Sequence, residues 1–222
     1  MNRRVLLLRH GRTAWNEQRR FQGQADPPLD EIGRGQAYET ASMVASLRPG
    51  LLVSSDLQRA QQTAEVVGVA ASLPVITDAR LRERGLGHWE GLTRDEVERD
   101  YPDEFADWVA GRDISRRGGE TREEVAARAL AAFDELPPVP VTVLVTHSAT
   151  AMALANALLG IPQSVHPLGP LANCHWSELY AEPGDDGRLS WRLRGHNLGA
   201  PGTIVPTPVH VPAADDAADA DA

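Results

Sequence analysis

One cysteine, Cys174, in 222 residues excludes an internal disulfide and argues against a cysteine-based metal site. Alone, it reads as a small buried thiol. Long apolar runs are missing too: the longest, such as residues 5–8, fall far short of the roughly 20 that cross a bilayer. No secretory leader is visible, because the basic Met1-Asn2-Arg3-Arg4 leads into a run that stops at Arg9-His10. The chain is therefore expected in the cytoplasm, with no membrane partner. Basic residues are outnumbered, 22 against 31 acidic, and the formal net charge of −9 argues against nucleic acid as a partner. No HxH, HExxH or carboxylate cluster with ligand spacing occurs, so neither a metal nor another cofactor is expected.

What is present suits a soluble enzyme. An apolar fraction of 42% with 24% charged residues supports a core, and the length fits one large α/β domain. Continuous apolar runs at 5–8, 51–53 and 141–145 read as strands covered on both faces. A short strand is expected at 75–76 and an edge strand at 191–193. Helical stretches are expected at about 31–47, from caps at Ser54-Ser55-Asp56 through 67, at 122–136 before Pro137-Pro138, and from 148 to 159. This alternation predicts an α/β fold with a mostly parallel sheet flanked by helices on both faces. The stretch 85–120, rich in glycine, charge and tryptophan, reads as a small capping insertion. The expected organisation is one domain over 1–205 and an acidic, alanine-rich tail, 206–222, expected to be disordered.

In open parallel sheets, ligands bind beyond the carboxyl ends of the strands. Three strands deliver unusual residues there. The first delivers Arg9-His10-Gly11, the second leads to Arg59 in the opening turn of its helix, and the strand at 141–145 delivers His147. Arginines bind phosphate oxygens in bidentate fashion and stay charged. Helix N-termini after Ser54 and His147 add backbone donors. A histidine among such cations has its pKa lowered, leaving it neutral and nucleophilic. The conjunction reads as an anion-binding enzyme site.

Leu8-Arg9-His10-Gly11-Arg12-Thr13-Ala14-Trp15-Asn16 resembles the RHG signature of the histidine phosphatase superfamily, the phosphoglycerate mutase-like enzymes. Further matches follow in the family's order: Phe21-Gln22-Gly23, Ser54-Ser55-Asp56-Leu57-Gln58-Arg59-Ala60, Leu81-Arg82-Glu83, Gly87-His88-Trp89-Glu90-Gly91 and Val145-Thr146-His147. The resemblance covers roughly residues 4 to 160. It implies that His10 attacks phosphorus, while Arg9, Arg59 and His147 hold the phosphoryl oxygens. Asn16, Gln22 and Gly23 would line the pocket, and Glu83 would protonate the leaving oxygen and later activate water. Glu90 is given a structural role. Two departures stand out: Arg12 adds a positive charge near the pocket mouth, and Ser148-Ala149-Thr150 replace the usual glycines. The Ser148 amide is expected to serve the substrate, and both departures are expected to leave the catalytic positions untouched.

The compact interval from Glu83 to His147 and the Gly87–Gly91 pattern resemble the phosphatase branch. The late segments Asn173-Cys174-His175-Trp176 and Trp191-Arg192-Leu193 resemble the glucosyl-3-phosphoglycerate phosphatase family of actinobacteria. A metal-independent phosphomonoester hydrolase acting on a small phosphorylated metabolite of that kind is the implied function. Phosphoglycerate mutase-type transfer and non-catalytic binding of a phosphorylated ligand are the alternatives. Arg112, Arg116 and Arg117 in the insertion are candidates to meet a substrate carboxylate. Such enzymes often dimerise, and a homodimer is expected.

Overall fold

The computed structural model describes residues 3–183 and 189–200; the tail expected at 206–222 lies outside the described residues. The strands are β1 (Arg3–Arg9), β2 (Leu51–Ser54), β3 (Ile76–Thr77), β4 (Val141–Thr146), β5 (Trp176–Pro183) and β6 (Leu189–Leu198). The helices are α1 (Ala14–Glu17), α2 (Glu31–Ser46), α3 (Gln58–Ala71), α4 (Arg94–Asp100), α5 (Pro102–Val109), α6 (Arg122–Asp134) and α7 (Ser148–Leu159). They build one six-stranded sheet in the order β3-β2-β4-β1-β5-β6. β1 to β4 run parallel to one another, and β5 and β6 add two antiparallel strands at one side.

Period-two alternation decides which residue faces which layer. Val5 and Leu7 pack with Ala129 and Phe133 of α6 and Leu154 of α7. Leu6 and Leu8 pack with Ala41 and Val44 of α2 and Ala60 and Val67 of α3. Both faces are thus covered, and all four β1 residues are fully buried. Each buried aliphatic side chain of this size contributes about 1.5–3 kcal/mol. Leu7→Ala would cost about 2–5 kcal/mol.

Helix ends follow their caps. Asp30 accepts from the Gly33 amide at 2.7 Å to start α2, and Thr121 forms a capping box with Glu124 to start α6. Gly160, at φ 69°, ends α7 in the left-handed conformation. One expectation fails here: Ser54-Ser55-Asp56 do not cap α3. Those side chains are committed elsewhere, Ser55 to His147 and Asp56 to Arg82. Instead the first amide of α3, that of Gln58, is bonded by Asp26 Oδ1 at 2.7 Å.

β5 had no counterpart in the sequence reading. Its Glu178 is buried because Arg4 of β1 bonds it at 2.6 Å, so a charged residue breaks the apolar pattern that marks a buried strand. Residues 85–120 carry α4, α5 and the short 3-10 turns Gly87–Trp89 and Ser115–Arg117. They form their own core of Trp89, Val97, Phe105 and Ile114, with Phe21 and Trp108 packed against it.

Candidate active site

The register of the sheet sets the site. Arg9 pairs with Thr146 across β1 and β4, so the next residues, His10 and His147, leave the same edge side by side. The His10 amide bonds the Thr146 carbonyl at 3.0 Å, and the two imidazole centroids are 5.1 Å apart. Gly11 approaches the first turn of α2 so closely that a Cβ there would stand 2.5 Å from the Gly33 carbonyl oxygen. The Gly11 amide donates to Thr63 Oγ1, which donates in turn to the Arg59 carbonyl, tying this loop to α3.

His10 Nδ1 lies 2.7 Å from the Gly11 carbonyl oxygen. A carbonyl only accepts, so Nδ1 carries the proton and Nε2 keeps its lone pair. Burial, then the charges of Arg59 and Arg9, hold the imidazole well below its ordinary pKa despite the bond to Gly11. His10 is thus neutral near pH 7, with the Nε2 lone pair free.

His147 has the opposite tautomer. Arg59 Nε donates to its Nδ1 at 3.3 Å, and its Nε2–H donates to Ser55 Oγ at 3.0 Å. Burial and then Arg59 also push its pKa well down. Arg59 is completely buried, and its other nitrogens donate to the Ala25 and Gly23 carbonyls at 2.6 and 2.8 Å. It therefore fastens the 23–25 loop to the floor of the site. Burial lowers its pKa to about 10, which leaves it charged at neutral pH. Arg9 Nη1 donates to the Leu171 carbonyl at 2.5 Å, and its buried Nε has no partner among the described residues.

Glu83 is held by the start of α7. Its Oε1 accepts from the amides of Arg84 and Thr150, at 2.8 and 3.2 Å, and from Thr150 Oγ1. Among the described residues its Oε2 accepts only from the Ala149 amide, at 3.2 Å, so this oxygen is the less committed of the two. Of the departure at Ser148-Ala149-Thr150, the Thr150 hydroxyl is the side-chain contact that reaches Glu83; the two amides are backbone groups that glycines would supply as well. Ser148 itself does not line the pocket; its Oγ accepts from the Leu171 amide.

Arg9, His10, Asn16, Gln22, Gly23, Arg59 and Glu83 line one pocket. Asn16 Oδ1 is taken by Thr13 and Asn173, which leaves its NH2 available. Gln22 Oε1 is buried without a partner among the described residues. Gly23, at φ 49°, passes Glu90 so tightly that a Cβ would lie 2.2 Å from Oε1 of that residue. Glu90 lies outside this pocket and bonds the amides of Gln24 and Leu86.

Arg12 does not stand at the pocket mouth, where the sequence places it. It pairs with Asp30 at 2.8 Å and with Glu17, and does not line the pocket, so its charge is neutralised away from the mouth. Of the three insertion arginines, Arg112 and Arg116 pair with Asp107, and only Arg117 faces the pocket. Its guanidinium lies over the Trp89 ring, 1% of the residue is exposed, and its Nε has no partner among the described residues. Burial and the charge of Arg84 lower its pKa to about 10. Arg20, Phe21, Arg84, Leu86, Trp108 and Ala149 complete the wall, and the sequence does not single them out as pocket residues. Arg84 adjoins the expected acid, the one signal that could have found it. Among the described residues, no three His, Cys, Asp or Glu side chains converge as metal ligands. No helix among them is long and apolar enough to cross a membrane.

A family model described as the histidine phosphatase superfamily (branch 1) matches residues 5–194. The chain is 40% identical over 214 residues to the glucosyl-3-phosphoglycerate phosphatase of Mycobacterium tuberculosis, across 89% of this chain and 96% of that one. It is 38% identical over 181 residues to a probable phosphoglycerate mutase of Yersinia pestis, across 79% and 83% of the two chains. The native structure of a mycobacterial glucosyl-3-phosphoglycerate phosphatase is similar with a TM-score of 0.81 at 38% identity, covering 90% of this chain and 100% of that one.

Proposed function

The chain belongs to the histidine phosphatase superfamily, and we propose on that premise that it hydrolyses small phosphomonoesters in the cytoplasm through a phosphohistidine on His10. The observation that carries the reading is the bond from His10 Nδ1 to the Gly11 carbonyl, which leaves Nε2 unprotonated in a pocket shared with Arg9, Arg59 and Glu83.

In the first step the Nε2 lone pair attacks phosphorus and the P–O ester bond breaks. The leaving oxygen takes a proton from Glu83, whose less committed Oε2 suits the transfer. In the second step Glu83 takes a proton from water, the hydroxide attacks phosphorus, and the P–N bond breaks to free phosphate and neutral His10. Arg9, with an unpartnered buried Nε, and the NH2 of Asn16 offer donors for charge on the transferring group, and Gln22 lines the same pocket. Arg59 sets the 23–25 loop and His147, and contributes its charge from behind.

The substrate is a carboxylated metabolite, with glucosyl-3-phosphoglycerate the leading candidate. Support comes from the relatives bearing that name and from Arg117, which faces the pocket with its Nε free and its Nη2 on the Glu120 carbonyl. The test is phosphate release with EDTA present, from glucosyl-3-phosphoglycerate, 3-phosphoglycerate, phosphosugars and p-nitrophenyl phosphate. Release to water supports hydrolysis; movement of the phosphoryl group between positions of one substrate supports the mutase alternative.

A further inference from the structure

Beside the pocket that holds His10 lies a second cavity of about 170 Å³, between α6, α7 and residues 163–170. Arg84 and Ala149 line both spaces and form the wall between them. That wall stands at the acid, because the amides of Arg84 and Ala149 each bond a Glu83 carboxylate oxygen. An oxygen protonated by Glu83 therefore leaves next to this second space.

The lining describes what would fit. Val125, Met152, Ala153 and Leu168 supply apolar surface; Arg122 and His166 supply polar edges. The cations are partly answered: Arg84 Nη2 and Arg122 Nη1 both bond Asp113 Oδ1, at 2.5 and 3.1 Å. Burial, then Arg122, lowers the His166 pKa, so its imidazole is neutral at pH 7. The space thus offers N–H donors and apolar walls with little free charge, and it adjoins the cationic phosphate pocket. Cavities of about 150 Å³ take up a benzene-sized ring, so one six-membered ring fits here.

We propose that this cavity is a sugar subsite: it receives the uncharged hexosyl ring of the leaving group, with C–H faces on Met152 and Leu168 and hydroxyls toward Arg122 and His166. The assignment rests on the phosphatase reading above. It gives the enzyme preference for a glycosylated phosphoglycerate over the bare one, through contacts remote from the reacting atoms.

The experiment is steady-state kinetics of wild type, Ala153→Leu and Met152→Ala on glucosyl-3-phosphoglycerate, 3-phosphoglycerate and p-nitrophenyl phosphate. Ala153 is 5% exposed, packs beside Val125 and Ala126, and lies outside the phosphate pocket, so a leucine there adds bulk to the cavity wall without touching the phosphate site. Ala153→Leu is expected to raise KM for the glucosyl ester about tenfold, with the other two substrates within about twofold. Met152→Ala removes an apolar face instead of adding bulk and is expected to raise the same KM selectively. Retained p-nitrophenyl phosphate turnover shows that a variant has folded; should Ala153→Leu lose it, Met152→Ala decides. An unchanged KM for the glucosyl ester in the folded variants, or an equal loss on all three substrates, overturns the sugar subsite. Wild-type turnover of p-nitrophenyl phosphate that disappears in His10→Ala upholds the phosphatase reading independently. An enzyme inert to every ester overturns both.

Discussion

His10 and His147 stand 5.1 Å apart, ring centroid to ring centroid, in opposite tautomers: His10 presents a bare Nε2, while His147 spends its Nε2–H on Ser55. The backbone carbonyl of Gly11 fixes the first ring, and Arg59 Nε fixes the second. Two neutral imidazoles can share a buried site where two imidazolium ions would repel each other and the arginines beside them. Fold geometry thus leaves a neutral imidazole with a free Nε2 lone pair at the proposed nucleophile.

The buried pair makes stability depend on pH. Both folded-state pKa values lie well below the ordinary histidine value near 6.5, burial being the larger cause in each. The unfolded chain therefore binds more protons than the folded one below about pH 6.5, and stability falls as pH drops through that window. The expected slope is about 1.4 kcal/mol per pH unit for each histidine. Urea unfolding at pH 7 and pH 5 checks this, and His10→Asn should remove about half of the dependence, leaving the share of His147. The same stability at both values would mean that the histidines are not held neutral.

The acid has its own signature. Glu83→Gln keeps a similar shape at the start of α7 but cannot protonate a leaving oxygen. Loss of about 10²–10⁴-fold in kcat is expected for an alkyl phosphate, with a smaller loss for p-nitrophenyl phosphate, whose leaving group needs less protonation. Equal losses on both substrates would show that Glu83 does not act on the leaving group.

Arg117 and Arg116 should behave differently although they are neighbours. Arg117 is buried against Trp89 with an unpartnered Nε, whereas Arg116 is half exposed and paired with Asp107. Arg117→Met keeps the stem on the indole and removes the charge. It should raise KM for phosphoglycerate-type substrates about ten- to hundredfold, the worth of a hydrogen bond to a charged group, and spare p-nitrophenyl phosphate. Arg116→Ala should change neither. A rise in KM for Arg116→Ala alone would reverse the assignment.

What the sequence could and could not reveal follows from how each feature is encoded. β1 and β4 are continuous apolar runs, because a strand covered on both faces needs apolar side chains at every position. The motif residues around His10, Glu83 and His147 sit at strand and helix ends, and a signature records them directly. β5 hid because Glu178 and Arg4 satisfy each other across two strands that are 174 residues apart in sequence. Ser54-Ser55-Asp56 misled because cap-forming residue types also serve as partners: Ser55 was spent on His147, and Asp26 capped α3 from a distant loop. Arg12, Arg116 and Arg117 look alike in one dimension. Only the partners each one meets among the described residues, Asp30, Asp107 or, for Arg117, the Glu120 carbonyl, decide which charge the pocket sees.

The most direct measurement is rapid quenching of enzyme mixed with radiolabelled phosphoester, followed by acid and base treatment and peptide mapping. The account predicts a phosphoprotein that is acid-labile and base-stable, mapped to His10 and absent in His10→Ala. It also predicts that the label decays at the rate of phosphate release. Label on another residue, or phosphate release with no bound label in an enzyme that still turns over without His10, would contradict it.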